Sequence, residues 1–334
     1  MNDTISDVGQ LEACIGAPGL PVKMKIIDHL DAGATGWIAA SPLAFACFAG
    51  DAHPRVTLAG GTQGFASVDG TNALILPRAS FDNDEAIETG RGAAVLFLVP
   101  GIGETLRVNG RVRHLDAMHV LVAVEECFVH CAKALIRSDF WTAPPLGDAP
   151  DDPVAFLNGA RFLALATVDA EGRIDISPKG DPAGRLLQAD GGRAVLAERP
   201  GNKLAFGYRN ILARPEVSAV ALVPGATAIV SLNGRARLTT DEALRSAFVV
   251  DGKTPILATV IEGLQAGRRS SAVLESAHLW TAPTRAMGID PAAVLVGHVK
   301  LNKAKGVAAT AIRLAVNRSV VAGGLEQNYK TDLY

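Results

Sequence analysis

Two basic clusters in the second half of this 334-residue sequence have the spacing of an anion cradle. One is Ser177-Pro178-Lys179-Gly180-Asp181-Pro182. The other is Glu198-Arg199-Pro200-Gly201-Asn202-Lys203, followed by Tyr208-Arg209-Asn210. Pro200 suits the start of a helix, where its missing N–H leaves nothing unpaired. Arg199, Asn202 and Lys203 then gather at a helix N-terminus, where free amides and the helix dipole favour an anion. Lys179, in a Pro/Gly turn at a strand end, can approach the same point. On these residues alone, a basic surface loop at a helix start fits as well.

The first half offers a different set. Glu104, Thr105 and Arg107 read as part of a strand, and Glu125-Glu126-Cys127-Phe128-Val129-His130-Cys131-Ala132-Lys133 follows. A helix over 126–137 places Glu126, His130, Lys133 and Arg137 on one polar stripe. His130 could donate a proton, because histidine titrates near neutrality, and a plain hydrogen-bonding role is equally open. Cys127 and Cys131 lie one helical turn apart in an apolar context and read as buried thiols. With His114 and His119 nearby they lack the short spacings of a closed metal site, so no metal is expected. A Cys131–His130 nucleophile is disfavoured, since adjacent helical residues point about 100° apart. Gly60-Gly61-Thr62-Gln63-Gly64 lacks the lysine of a phosphate loop and reads as a turn.

The elements that must position these residues are organised as a repeat. Leu-Val-Pro-Gly occurs at 98–101 and 222–225, Asn-Gly-Arg at 109–111 and 233–235, and Trp-Thr-Ala-Pro at 141–144 and 280–283. The offset is 124 residues at the first two landmarks and 139 at the third, so the second copy carries about fifteen extra residues around 239–255, read as a helix and turn. The copies meet near residue 145, and the Pro- and Asp-rich stretch 145–153 has the composition of a linker.

Each copy is mostly short strands between Gly, Pro and Asp turns, as a small antiparallel barrel requires. The first offers 43–48, 55–59, 73–76, 93–99, 104–113 and 120–124. The second offers 162–168, 173–177, 193–197, 217–223, 228–238 and 257–261. Helical pattern is expected at 21–31, 127–137 and 200–213, at 263–269 as counterpart of the first copy's polar stripe, and after Pro283 to about Val316. Trp141 and Trp280 are expected to plug the junction of barrel and helix.

Comparing the copies shows reciprocal loss. The first has Leu58-Ala59-Gly60-Gly61-Thr62 and Leu76-Pro77-Arg78-Ala79-Ser80-Phe81 where the second has its basic clusters. Only Arg78 could serve a phosphate there, and Asp82, Asp84, Glu85 and Glu88 would repel one. The second copy has Ala226-Thr227-Ala228-Ile229-Val230-Ser231 and Gly263-Leu264-Gln265-Ala266-Gly267-Arg268-Arg269 where the first has its polar wall. One shared site accounts for this pattern better than two independent ones.

The runs Phe162–Arg173, Ser177–Pro182, Glu198–Asn202 and Arg209–Leu212 resemble the pyridoxamine 5′-phosphate oxidase-like FMN-binding split-barrel family. So do Phe97–Arg111 and Val124–Ser138. The likeness extends over about residues 10–282 and takes the form of a tandem duplication of the single-domain type. It implies an α+β, mainly β, architecture. Two split barrels form an intramolecular pseudo-dimer, with residues 1–144 as the first, 145–283 as the second and 284–334 as a helical extension. It implies one composite FMN site, with Lys179, Arg199, Asn202 and Lys203 on the phosphate side. Glu104, Thr105, Arg107, Glu126, His130 and Lys133 match the opposite wall, and Arg209 matches while also fitting a structural role. The expected function is a flavin-dependent oxidoreductase acting on a small molecule, with a nicotinamide or organic electron donor. The alternative is a non-catalytic protein that stores or senses flavin or haem. Lys179 stands where the family more often has Arg, which keeps the charge and loses the bidentate fork. The stretch 325–334 lacks the Arg/His-bearing segment of true pyridoxamine phosphate oxidases, which disfavours oxidation of a B6 vitamer.

Composition agrees with a globular protein: 49% hydrophobic and 20% charged residues, with a formal net charge of −2. That charge gives no electrostatic reason to expect nucleic acid or an anionic membrane as partner. Neither a signal peptide nor a membrane span is expected, and the four cysteines fit a reducing compartment, with cytoplasm as the default. A monomeric pseudo-dimer and a homo-oligomer both fit.

Overall fold

The computed structural model describes residues 3–84, 87–147, 149–201, 203–281 and 288–334. Among the described residues, runs rich in Val, Leu, Ala and Phe between turn residues form fifteen strands. β1 (Thr4–Ile5) precedes β2 (Leu43–Phe48), β3 (Arg55–Gly60), β4 (Ser67–Asp69), β5 (Ala73–Pro77), β6 (Gly92–Leu98), β7 (Thr105–Leu115) and β8 (His119–His130). Then come β9 (Phe162–Val168), β10 (Ile174–Gly180), β11 (Leu187–Ala189), β12 (Arg193–Glu198), β13 (Glu216–Leu222), β14 (Ala228–Thr239) and β15 (Leu257–Ser270). One sheet has the order β3-β2-β6-β7-β8-β5-β4, the other β10-β9-β13-β14-β15-β12-β11. Adding seven to each strand of the first order gives the second, so one topology is used twice. The architecture is α+β, mainly β: two split barrels in tandem, with a helical tail.

The repeated Asn-Gly-Arg marks a backbone requirement. It falls at a β-bulge in β7 and again in β14, where the register shifts between Asn109 and Gly110 and between Asn233 and Arg235. A Cβ on Gly110 would lie 1.9 Å from the Ala123 carbonyl oxygen, and one on Gly234 would lie 2.6 Å from Ile261 Cγ2. Only glycine fits.

Strands β2, β6 and β9 are buried at every position because both of their faces are covered. Along β2, Ala44, Ala46 and Phe48 enter the first barrel's core with Val95, Phe97 and Leu106. The alternating Leu43, Phe45 and Cys47 enter a separate core between the barrels. Along β9, Leu163 and Leu165 face the second barrel, while Phe162, Ala164 and Ala166 join that shared core. Phe45 and Phe162 meet across it at 5.5 Å, and Phe140 lies 5.0 Å from Phe162. Trp280 Nε1 donates to the Phe140 carbonyl at 2.7 Å and Trp141 Nε1 to the Ile102 carbonyl at 2.6 Å, so both tryptophans seal the junction.

Several helical expectations are corrected. The stretch 126–130 continues β8, and only Lys133–Arg137 is helical beyond it. The alternation Val120, Val122, Val124 lets β8 pair with β7 from Leu115↔Val120 to Thr105↔His130, a gain in ladder bonds that outweighs the helical spacing of the polar residues. Residues 263–269 lie in β15 for the same reason, with Gln265 opposite Asn233. The helix expected from Pro200 begins at Phe206, after Ala205 in a left-handed conformation (φ 57°). Between 21 and 31 the helix is confined to Leu20–Met24. The insertion around 239–255 does hold a helix, Glu242–Ser246. After residue 288 the helices are Pro291–Leu301, Val307–Ala315 and Arg318–Thr331, the last beyond the expected end near 316.

The two ends of the chain cross over. β1 pairs with β14, and Leu11 of helix Val8–Ile15 enters the second barrel's core. Val294 of helix Pro291–Leu301 enters the first barrel's core. The 1–144 unit therefore lends its first residues to the other barrel, and the 283/284 boundary lies outside the described residues.

At Gly180, the last residue of β10, the barrels come into close backbone contact. A Cβ there would lie 1.9 Å from the Ala134 carbonyl oxygen of helix Lys133–Arg137. We expect Gly180→Ala to cost about 1–3 kcal/mol in urea denaturation. Gly267→Ala, where an added Cβ meets nothing within 4 Å, should stay within about 0.5 kcal/mol of the parent.

Candidate functional site

Where helix Lys133–Arg137 rests on the end of β10, a cleft of about 350 Å³ opens between the barrels. The first barrel lines it with Arg107, His130, Cys131, Lys133 and Arg137. The second contributes residues 177–181, 197–201 and 203–208, and Cys14 and Asp332 complete the wall. The strand alternation of β7 and β8 directs Arg107, Phe128 and His130 out of the first barrel, because their neighbours Leu106, Val108, Cys127 and Val129 fill its core.

Three cations of this cleft are neutralised by buried carboxylates. Arg107 Nη2 lies 2.9 Å from Asp175 Oδ1, its Nη1 donates to the Ile176 carbonyl at 2.8 Å, and its guanidinium sits 4.3 Å from the Phe128 ring centroid. Lys179 pairs with Glu198 at 2.5 Å. Glu198 also accepts from Tyr208 Oη at 2.6 Å and Thr259 Oγ1 at 2.7 Å, and burial together with Glu198 pushes the Tyr208 phenol pKa well up. Arg199 Nε donates to Asp181 at 2.8 Å and its Nη2 to the Phe248 carbonyl at 2.7 Å. Two buried cations remain: among the described residues, neither Lys133 nor Arg137 has an ion pair with a carboxylate of either barrel. Lys203 lines the cleft and is exposed.

Burial raises the Asp181 carboxyl to about 6, against the opposing pull of Arg199 and Arg137. Burial, then the positive charges of Arg107 and Lys25, hold His130 well below its ordinary range. This environment favours the neutral imidazole, in which one ring nitrogen donates and the other accepts. Cys131 Sγ lies 3.9 Å from His130 Nδ1, so the two do converge at the strand end where a helix would have parted them.

The remaining expected site residues are dispersed. Glu104 is buried beside the cleft and accepts from Tyr329 Oη at 2.8 Å. Thr105 is buried with its Oγ1 unpartnered. Glu126 accepts from Asn109 Nδ2 at 2.9 Å, further along β8 and away from the cleft lining, because the helical stripe that would have placed it beside His130 does not form. Arg209 pairs with Glu12 at 2.5 Å and fastens helix Val8–Ile15. Asn202 lies outside the described residues. Sequence reasoning missed Asp175, whose signal was an acid at an alternating position between Ile174 and Ile176, and missed residues 332–334, which carry no local signal at all.

The equivalent position on the opposite side of the junction carries a different set of contacts. There Asp82 accepts from Ser271 Oγ at 2.6 Å and from Val273 N at 3.1 Å, at the start of helix Ala272–Ala277. Arg78 is paired with Asp84 at 2.5 Å.

Residues 150–288 match the family described as pyridoxamine 5′-phosphate oxidase. No curated protein sequence matches the chain. Among solved structures, the chain is similar to HupZ of Group A Streptococcus, with 17% identity over 37% of this chain and 99% of that one, at a TM-score of 0.30. An F420 reductase shows 16% identity over 36% and 98%, at 0.28. The heme storage protein HutZ from Vibrio cholerae shows 14% identity over 34% and 87%, at 0.22. Among the described residues no group of three His, Cys, Asp or Glu side chains is placed to hold a metal ion, and no helix is long and apolar enough to cross a membrane.

Two outcomes follow from the buried charges. The Asp181 carboxyl titrates near 6 when folded and near 3.8 when unfolded, so the native state keeps a proton that the unfolded chain has released. Its stabilising contribution is full below about pH 4 and is lost as pH rises through about 6, amounting to about 3 kcal/mol at most. Asp181→Asn should flatten the stability profile across that window, as read by denaturation at successive pH values. Asp175→Ala should cost about 3–5 kcal/mol, because it leaves the Arg107 guanidinium buried without its carboxylate.

Proposed function

We propose that this chain, whose residues 150–288 match the pyridoxamine 5′-phosphate oxidase family, binds one FMN between its two barrels and uses it in electron exchange with a small molecule. The observation that carries this reading is the pair of buried cations, Lys133 and Arg137, facing the second barrel without a barrel carboxylate. Lys133 and Arg137, with the exposed Lys203 beside them, leave the barrels' share of the cleft with more cations than carboxylates, which suits a phosphate monoester, and Arg137 can offer it two parallel donors. This shifts the expected phosphate contacts. Lys179 and Arg199 are occupied by Glu198 and Asp181 and act as scaffold, while Lys133, Arg137 and Lys203 would hold the anion.

The donor set also suits a polar, planar cofactor. Among the described residues, Arg107 Nε on the first barrel's wall is buried without a hydrogen-bond partner. Phe206, Tyr208 and the neutral His130 supply flat surfaces and a hydrogen-bonding edge. Bound FMN would supply one- and two-electron redox chemistry, and the chain's part is to bind, orient and shield it. Its electrons would come from a nicotinamide or other organic donor.

Titration with FMN, followed by flavin fluorescence, should saturate at about one flavin per chain. A ratio near two would contradict a composite site, and no uptake at all would sink the flavin reading. Arg137→Ala should weaken binding by about tenfold or more, the worth of a charge-assisted hydrogen bond. Arg78→Ala should leave it unchanged, since Arg78 is bound to Asp84 away from the cleft.

A further inference from the structure

Lys133 and Arg137, which have no carboxylate partner in either barrel, meet the chain's own residues 332–334, and Arg137 Nη2 also donates to the Pro200 carbonyl of the second barrel at 3.1 Å. Lys133 Nζ donates to Asp332 Oδ2 at 2.8 Å and also to the Asp332 carbonyl. Arg137 Nε donates to the Leu333 carbonyl at 2.6 Å. The Tyr334 ring lies between two guanidiniums, 5.5 Å from that of Arg137 and 5.2 Å from that of Arg199. A carboxylate on Lys133, a carbonyl on Arg137 and an aromatic ring beside them present to the two cations the acceptors and flat surface that an anionic aromatic ligand would offer. Lys133 holds the Asp332 carboxyl below the usual range, so it is charged at neutral pH.

The helix that delivers this segment is lightly held. No side chain of Arg318–Thr331 is buried. Arg318 pairs with Asp290 at 2.7 Å, and Tyr329 Oη bridges Glu104 Oε1 at 2.8 Å and the Ala132 amide at 3.2 Å. A helix with few buried apolar contacts belongs to the low-stability end of a fold, where opening is cheap. Several of its polar attachments lie at the cleft.

We propose that residues 332–334 are an internal competitor: they occupy the anion end of the cleft, and a phosphate-bearing ligand binds by displacing them. This rests on the reading of the cleft as an anion-binding site and adds that access to it is regulated by the chain itself. Because each tail contact replaces one that a phosphate would make, the apparent affinity is lowered by the fraction of molecules in which the segment is seated.

The experiment compares the full chain with the variant Asp332→Asn/Tyr334→Ala, using two probes, FMN and inorganic phosphate, by calorimetry. Hydrogen exchange over residues 318–334 is followed in the parent with and without each probe. Competition predicts that the variant binds at least one probe about tenfold tighter or more, and that this probe speeds exchange of 325–334 in the parent. Equal or weaker binding in the variant, or slower exchange on adding probe, would mean that the segment completes the site, and would overturn the proposal. Tighter phosphate binding with no FMN uptake by either chain would support competition and remove the flavin reading. Tight FMN binding that is the same in both would do the reverse, and failure of both probes on both chains overturns competition as well.

Discussion

Arg107 is the charge on which the junction turns. It leaves β7 of the first barrel, passes over Phe128 and meets Asp175 and the Ile176 carbonyl on β10 of the second. A guanidinium removed from water this thoroughly is tolerated only with its carboxylate and carbonyl in place, so it acts as a check on how the barrels are aligned. Asp175 in turn accepts from Ser177 Oγ at 3.0 Å. The segment Ser177-Pro178-Lys179-Gly180 that forms the floor of the cleft is thereby referenced to the opposite barrel, and Gly180 lets helix Lys133–Arg137 settle onto it.

Around that polar contact the junction is built like an interior. Strands β2, β6 and β9 carry apolar residues on both faces, one set for their own barrel and one for the shared core. A strand with a polar outer face would have sufficed for an isolated barrel. The second apolar face exists only because another barrel covers it. The two sides of the junction differ: on one Asp82 accepts from the start of helix Ala272–Ala277, and on the other lies a cleft with buried charges of both signs.

Much of the fold was legible because its signals are local. Leu43–Phe48 and Phe162–Val168 are short apolar runs bounded by turn residues, and both were read to the residue. The repeat was visible through Asn-Gly-Arg, since a bulge that admits only glycine constrains sequence directly. The misread stretch 126–137 shows the limit of spacing arguments. Glu126, His130 and Lys133 are four and three apart, which fits a helix, yet the first two lie on a strand and the third past a turn. Within the cleft, the acids that occupy Lys179 and Arg199 stand beside them in the sequence, as Asp181 and Glu198, each pairing with the other cluster's cation. Nothing local could have found the contact between Arg137 and Leu333, which are 196 residues apart.

The crossing of the chain ends bears on mass action. Residues 4–11 are anchored in the second barrel and Val294 in the first, so each barrel is completed by a segment from the far side of the sequence. Separating the barrels would expose the shared core and also strain both of these straps, and the halves stay tethered throughout. The encounter that forms the cleft is therefore first-order. Its occupancy by a ligand depends on ligand concentration alone and is unaffected by dilution of the protein, a constancy that a cleft shared between two separate chains would lose.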